Sequence, residues 1–163
     1  LLFNLARHPV DFMKTPHLMS WPFSAALQFA VAAASGAIAA LVSHFWFDLL
    51  AGAIILPVLT ISFTTVLTIF LYYFFSGFAS VRLQFRQLNS IVVFATLPYF
   101  ALHALSGFLP PLDLVGFAMA TVLLTVGLVE QFGIKRRFVF SLLGALFVTF
   151  FFVWSLSQIV RQN

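Results

Sequence analysis

His103, together with His44, is the ionisable group beside the long apolar stretches that most needs weighing for chemistry. They fall in "LVSHFWF" and "FALHALSG", each near one end of a long apolar stretch. Chain reversals between stretches bring both to the same side, so two imidazoles could stand as axial ligands to a haem iron. No further motif accompanies them, and a histidine hydrogen-bonded between helices is the competing reading. A second pattern is the row Thr60, Thr64, Thr68, Tyr72 and Ser76, spaced by four and therefore on one face of a helix. Such hydroxyls either line a polar path or bond the preceding turn and a neighbouring helix as a packing seam. The seam is the expectation. A third pattern is basic: Arg82 and Arg86 in "GFASVRLQFRQLNS", and Lys135, Arg136 and Arg137 in "GIKRRF". Glu130 precedes the latter and reads as their ion partner, since a catalytic carboxylate wants a companion acid, base or metal ligand close by. No catalytic group, metal site or cofactor is assigned. Without cysteine there are no disulfides, thiolate ligands or thiol nucleophiles.

The elements that must position these residues follow from composition. Of 163 residues, 63% are hydrophobic and 7% charged, with 23 Phe. Soluble domains carry about 25% charged residues, so lipid must face much of this chain. The net charge of +4 is then a topology signal and nucleic acid is not an expected partner.

Crossing a bilayer takes about 20 apolar residues per helix. Five windows qualify, at about 23–42, 56–78, 88–109, 112–131 and 138–159. The expected fold is all-α: a polytopic membrane protein with a bundle of five transmembrane helices in one domain, 23–163. Residues 1–22 form an amphipathic interfacial lead-in in which Leu and Phe alternate with charges and Pro9, Pro16 and Pro22 keep the pieces short. The stretch "SHFWFDLLAGAII" reads as an interfacial turn, with or without a short helix of its own. Pro98 lies within the third window and predicts a helix kink. Trp21, Trp46, Tyr72, Tyr73 and Trp154 read as interfacial anchors. Small residues four apart predict close helix packing in the rows Ala26, Ala30, Ala34 and Ala32, Gly36, Ala40, and the hydroxyls of Thr60, Thr64 and Thr68 join the packing set.

Five alternating spans place Arg7, Lys14, Arg82, Arg86, Lys135, Arg136 and Arg137 on one side, with Arg161, Asp48 and Asp113 on the other. Lys and Arg are retained on the cytoplasmic side. The N-terminus is therefore expected inside and the C-terminus outside. Arg82 and Arg86, four apart on a helical extension, serve as orientation anchors and with Lys135, Arg136 and Arg137 are candidate contacts for anionic lipid.

Several motifs together resemble the Yip domain family, five-span membrane proteins named for interaction with Ypt/Rab GTPases, and in particular its bacterial members. They are the lead-in "RHPVDFMKTP", the Ala/Gly-rich first span, and "FASVRLQFRQLNSIVVFATLPYF", a basic amphipathic segment running into a span with an internal "LP". "PP" before the fourth span and a basic turn before the fifth complete the set. The resemblance implies the same inside-to-outside threading. The eukaryotic "DLYGP" signature has no match here, so a Rab-type GTPase is not an expected partner. The functional expectation is a non-enzymatic bundle acting through membrane lipids, other integral membrane proteins or self-association, as an organising factor or accessory subunit. The alternatives are a small transporter or channel and a haem-binding redox subunit.

Overall fold

A computed structural model describes residues 5, 7–43, 49–78, 81–106, 108–109 and 111–162, of which 42–43, 153–154 and 157–162 are described by backbone alone. The described residues form helices, turns and loops, with no strand among them. A short helix α1 (Pro9–Lys14) is followed by five long ones: α2 (Trp21–Ser43), α3 (Leu56–Phe78), α4 (Phe85–His103), α5 (Leu112–Phe132) and α6 (Arg136–Gln162). Among the described residues three segments are long and apolar enough to cross a membrane: Trp21–Leu41, Ala51–Phe78 and Leu112–Phe132. All-helical structure with such segments follows from elementary physics, because a helix satisfies its own backbone donors and acceptors where no water can.

The helix boundaries differ from expectation at three places. Residues 49–55 are helical, with one π-helical turn at Ala51–Ile55 leading directly into α3, so this part of the expected interfacial turn extends a span. Its remainder, including Trp46 and Asp48, lies outside the described residues, as does His44. Helix α4, the third expected span, ends at His103 and not Leu109; turns follow at 104–106, where the Ser106 hydroxyl donates to the His103 carbonyl at 2.8 Å. Residues 81–84 are not helical, so Arg82 stands before α4 while Arg86 stands on it, and the two do not share a helical face. Helix α5 stops where Gly133 adopts a left-handed conformation (φ 65°) and its N–H caps the Val129 carbonyl at 3.0 Å.

Helix α4 is the hub. Leu88 through Ala95 are buried without a break, enclosed by α2, α3, α5 and α1. By contrast α3 exposes Val58, Leu59, Phe63, Val66 and Tyr73. Large apolar side chains thus face outward as well as inward, while the polar Asn89 and Ser90 are buried. Pro98 lies within α4, and the helix continues through it to His103.

Small residues decide one helix contact. Ala32, Gly36 and Ala40 are buried, and Gly36 meets Gly52 of the π-helical turn so closely that a Cβ on Gly36 would lie 2.7 Å from the Gly52 carbonyl carbon. The parallel row Ala26, Ala30, Ala34 faces outward, so of the two expected rows one packs within this chain.

Candidate functional site: the basic end of the bundle

Two polar regions compete for attention, the interior seam and the end where α4 and α6 begin. In the interior, Thr60, Thr64 and Thr68 are all buried. Thr68 donates to the Thr64 carbonyl one turn back at 2.7 Å, and Thr64 faces both the Thr60 carbonyl at 2.9 Å and the side-chain oxygen of Gln28 on α2 at 2.6 Å. Farther along, Asn89 of α4 donates to Ser24 of α2 at 3.0 Å, and Ser35 donates to the Phe100 carbonyl at 2.7 Å. Among the described residues no buried side-chain nitrogen or oxygen lacks a partner. Hydroxyls bonded in this way hold α2, α3 and α4 in register. Gln28, Ser24, Ser35 and Asn89 were not among the sequence candidates; the first three are each a lone polar residue in an apolar stretch, which is the signal that marks a helix–helix bond, whereas Asn89 sits in the polar stretch "RQLNS" and carries no such signal.

The opposite poles of the bundle carry the ionisable groups. At the pole where α4 meets α5, His103 Nδ1 lies 2.8 Å from Asp113 Oδ1, with Tyr99 stacked on its ring at a centroid distance of 5.6 Å. Ser106 approaches the same Nδ1 at 3.5 Å. A nucleophilic triad requires serine and carboxylate on opposite ring nitrogens, so this trio does not form one. The geometry instead bridges the α4–α5 hairpin. His44, the other haem-ligand candidate, lies outside the described residues, and among those described no three His, Asp or Glu side chains gather as a metal site.

The other pole is built by the lead-in and the ends of α3, α4, α5 and α6. Gln87 donates to Gln131 at 2.9 Å, and Gln131 donates to the carbonyls of Met13 at 2.7 Å and Thr15 at 3.1 Å. Phe138 at the start of α6 stacks on Phe74 near the end of α3, centroids 5.5 Å apart. These contacts draw Arg7, Lys14, Arg82, Arg86, Lys135, Arg136 and Arg137 to one end, all exposed. The pole holds two carboxylates. Asp11 pairs with Lys14 at 2.7 Å. Glu130 forms no ion pair with Lys135, Arg136 or Arg137 among the described residues, contrary to expectation, and instead lies close enough to Lys14 to help hold its ammonium charged, after the stronger effects of Asp11.

The lead-in is packed into this pole rather than only resting on it. Phe12 and Met13 are buried, Phe12 stacking on His17 at 4.0 Å and meeting Phe94 edge-on at 5.0 Å. Met13 fills the notch left by Gly127, whose absent Cβ would stand 3.0 Å from the Met13 Cε. Arg86 closes the arrangement. Its Nε donates to the Met19 carbonyl at 2.8 Å, the Met19 N–H donates to Ser90 Oγ at 3.0 Å, and the Ser90 hydroxyl donates to the Arg86 carbonyl at 3.0 Å. This ring ties the chain before α2 to the first turns of α4. Sequence spacing could not reveal it, since the partner of Arg86 is a backbone carbonyl 67 positions away.

An aromatic ladder marks the level of this pole. Trp21 stacks on Phe85 at 5.4 Å, and Phe85 meets Tyr72 edge-on at 5.4 Å. Amphipathic aromatic rings belong at the boundary between hydrocarbon and headgroups. No family model, curated protein or solved structure matches the chain.

Proposed function

We propose that this chain is a five-span, non-enzymatic integral membrane protein that acts through contacts with lipid or other membrane proteins, as an organising factor or accessory subunit of the bacterial-type Yip kind. In this reading α4 and α6 are spans alongside the three most apolar segments, and the basic pole is cytoplasmic, with the C-terminus outside a bacterial inner membrane. One observation carries it: the described interior polar side chains are spent on bonds between and within helices, while the exposed cations are collected at one pole. An interior organised in this way holds a shape, and the charged pole presents a surface.

Purification in a gentle detergent tests the function. Reproducible copurification of a membrane protein or of a defined lipid is expected; a homogeneous monomer that carries neither, and that leaves lipid organisation unchanged on reconstitution, overturns it. Topology is tested separately. A reporter fused after Asn163 should lie outside and one between Gln131 and Lys135 inside, and reporters on the same side would refute five spans.

A further inference from the structure

We infer that Arg82, Lys135, Arg136 and Arg137 form a binding surface for the phosphate headgroups of anionic phospholipid, and that Arg86 is a clasp for the lead-in, not part of that surface. The inference rests on the membrane reading above and adds to it a ligand class and a division of labour among the cations.

The division comes from what each cation already holds. Lys14 is paired with Asp11 at 2.7 Å, and Arg86 gives its Nε to the Met19 carbonyl at 2.8 Å. Arg82, Lys135, Arg136 and Arg137 are exposed and make no ion pair among the described residues. Their immediate neighbours are anchored: Leu83, Ile134 and Val139 belong to the same buried apolar core, so both basic connections are fixed to the bundle, and Phe138 beside Arg137 stacks on Phe74 of α3. Glu130, the acid nearest in sequence, makes no ion pair with Lys135, Arg136 or Arg137 among the described residues, so these like charges repel one another with no paired carboxylate to offset them, and an anion bound among them relieves that repulsion.

The depth of the surface selects the anion. The aromatic ladder of Trp21, Phe85 and Tyr72 sits at this pole, and Tyr73, Phe78 and Phe140 are 71%, 75% and 67% exposed beside it. Apolar rings so exposed belong against acyl chains and glycerol, which puts the neighbouring guanidinium and ammonium groups at the level of lipid phosphate. An acidic soluble protein would have to cover those rings as well as the charges.

The test uses the full chain in dodecyl maltoside, mixed with micelles containing equal phosphatidylglycerol and phosphatidylcholine, then re-isolated and assayed for retained lipid. Phosphatidylglycerol should be enriched. The variant R82Q/K135Q/R136Q/R137Q should lose that enrichment by at least tenfold while keeping its helix content by circular dichroism and its monodispersity. R86M should keep the enrichment. Equal retention by the wild type and the quadruple variant, or a loss in R86M as large as in the quadruple variant, overturns the inference. Displacement of the bound lipid by millimolar inorganic phosphate would show a site for soluble phosphate, and preferential capture of a poly-glutamate peptide over the lipid would show a protein-docking face; either overturns it. Incorporation of the wild type into nanodiscs separates the two levels: a chain that inserts without headgroup preference refutes only this surface, whereas one that does not insert refutes the membrane reading beneath it.

Discussion

Gly36 and Gly52 meet backbone to backbone: a Cβ built on Gly36 would fall 2.8 Å from the Gly52 Cα, and one built on Gly52 would fall 2.5 Å from the Gly36 carbonyl oxygen. The contact joins the middle of α2 to the π-helical turn that leads into α3. Neither neighbour is the end of a flexible side chain, so a methyl group at either position must push two helices apart.

Gly36→Ala and Gly52→Ala are therefore each expected to destabilise the bundle by about 1–3 kcal/mol, the range for overpacking. Gly144→Ala in α6 is the control, since nothing lies within 4 Å of its absent Cβ and alanine is the better helix former by about 1 kcal/mol. Thermal unfolding in detergent, followed by size-exclusion chromatography, should lower the midpoint for the first two and leave it unchanged or raised for the third. Wild-type stability in Gly36→Ala would show that the close approach does not exist.

The hydrogen bond from Thr64 to Gln28, at 2.6 Å, should be measurable as a coupling. Thr64→Val removes the donor without changing shape and leaves the Gln28 oxygen short of a partner. A double-mutant cycle with Gln28→Leu is expected to give a coupling of about 0.6 kcal/mol, and no more than about 1.7 kcal/mol, the span found for bonds between membrane helices. Additive effects would mean that the two side chains do not meet.

Arg86 and Arg82 should behave differently despite lying four apart. Arg86→Met removes the donor to the Met19 carbonyl, and Ser90→Ala removes the acceptor of the Met19 N–H. A hydrogen bond to a charged group contributes about 1.5–3 kcal/mol, so amide hydrogen exchange at Met19 and across α1 should quicken roughly tenfold or more in Arg86→Met. Arg82→Gln should leave that exchange unchanged. Equal acceleration in both arginine variants would contradict the clasp.

Acid should loosen the lead-in through His17. Burial against Phe12 pushes the His17 pKa below its ordinary value of 6.5, so the docked segment favours neutral imidazole and the undocked segment binds the proton more readily. Its contribution is then complete above pH 6.5 and declines as the pH falls below that value. The neighbouring ion pair does not titrate in this window, because pairing with Lys14 holds the Asp11 carboxyl below 3.8 and the same pair holds the Lys14 ammonium above 10.5. Exchange across α1 should quicken between pH 7 and pH 5 after correction for intrinsic chemistry, and His17→Phe should flatten that dependence. A pH response retained in His17→Phe would assign it to another group.

Much of the secondary structure was legible in the sequence. The second and fourth windows coincide with α3 and α5 to within a residue, and the first and fifth fall inside α2 and α6. Lipid leaves a spanning chain few options, so a run of apolar residues between charges or prolines is enough to mark a helix. The basic connections were legible for the same local reason. Misreadings arose where the decisive partner lay far along the chain. Leu49 to Ile55 read as part of an interfacial turn because the stretch between the first two windows is too short to cross twice and contains Asp48, yet Gly52 supplies the surface on which Gly36 packs.

What the sequence by itself determined, then, was the preference of each segment for an apolar surrounding and the clustering of its charges. Tertiary structure decided which surrounding each segment received. Helix α4 is less apolar than α3, with Arg86, Gln87, Asn89 and Ser90 in its first turns, yet it is the most enclosed because α2, α5 and the lead-in supply their hydrogen-bond partners. The more apolar α3 turns Phe63, Val66 and Tyr73 outward instead. Hydropathy measures transfer out of water, and lipid and a packed protein interior are nearly alike on that scale. They differ in that only the interior offers a bond to Asn89 or a carbonyl to Arg86, and that difference appears only once the helices are assembled.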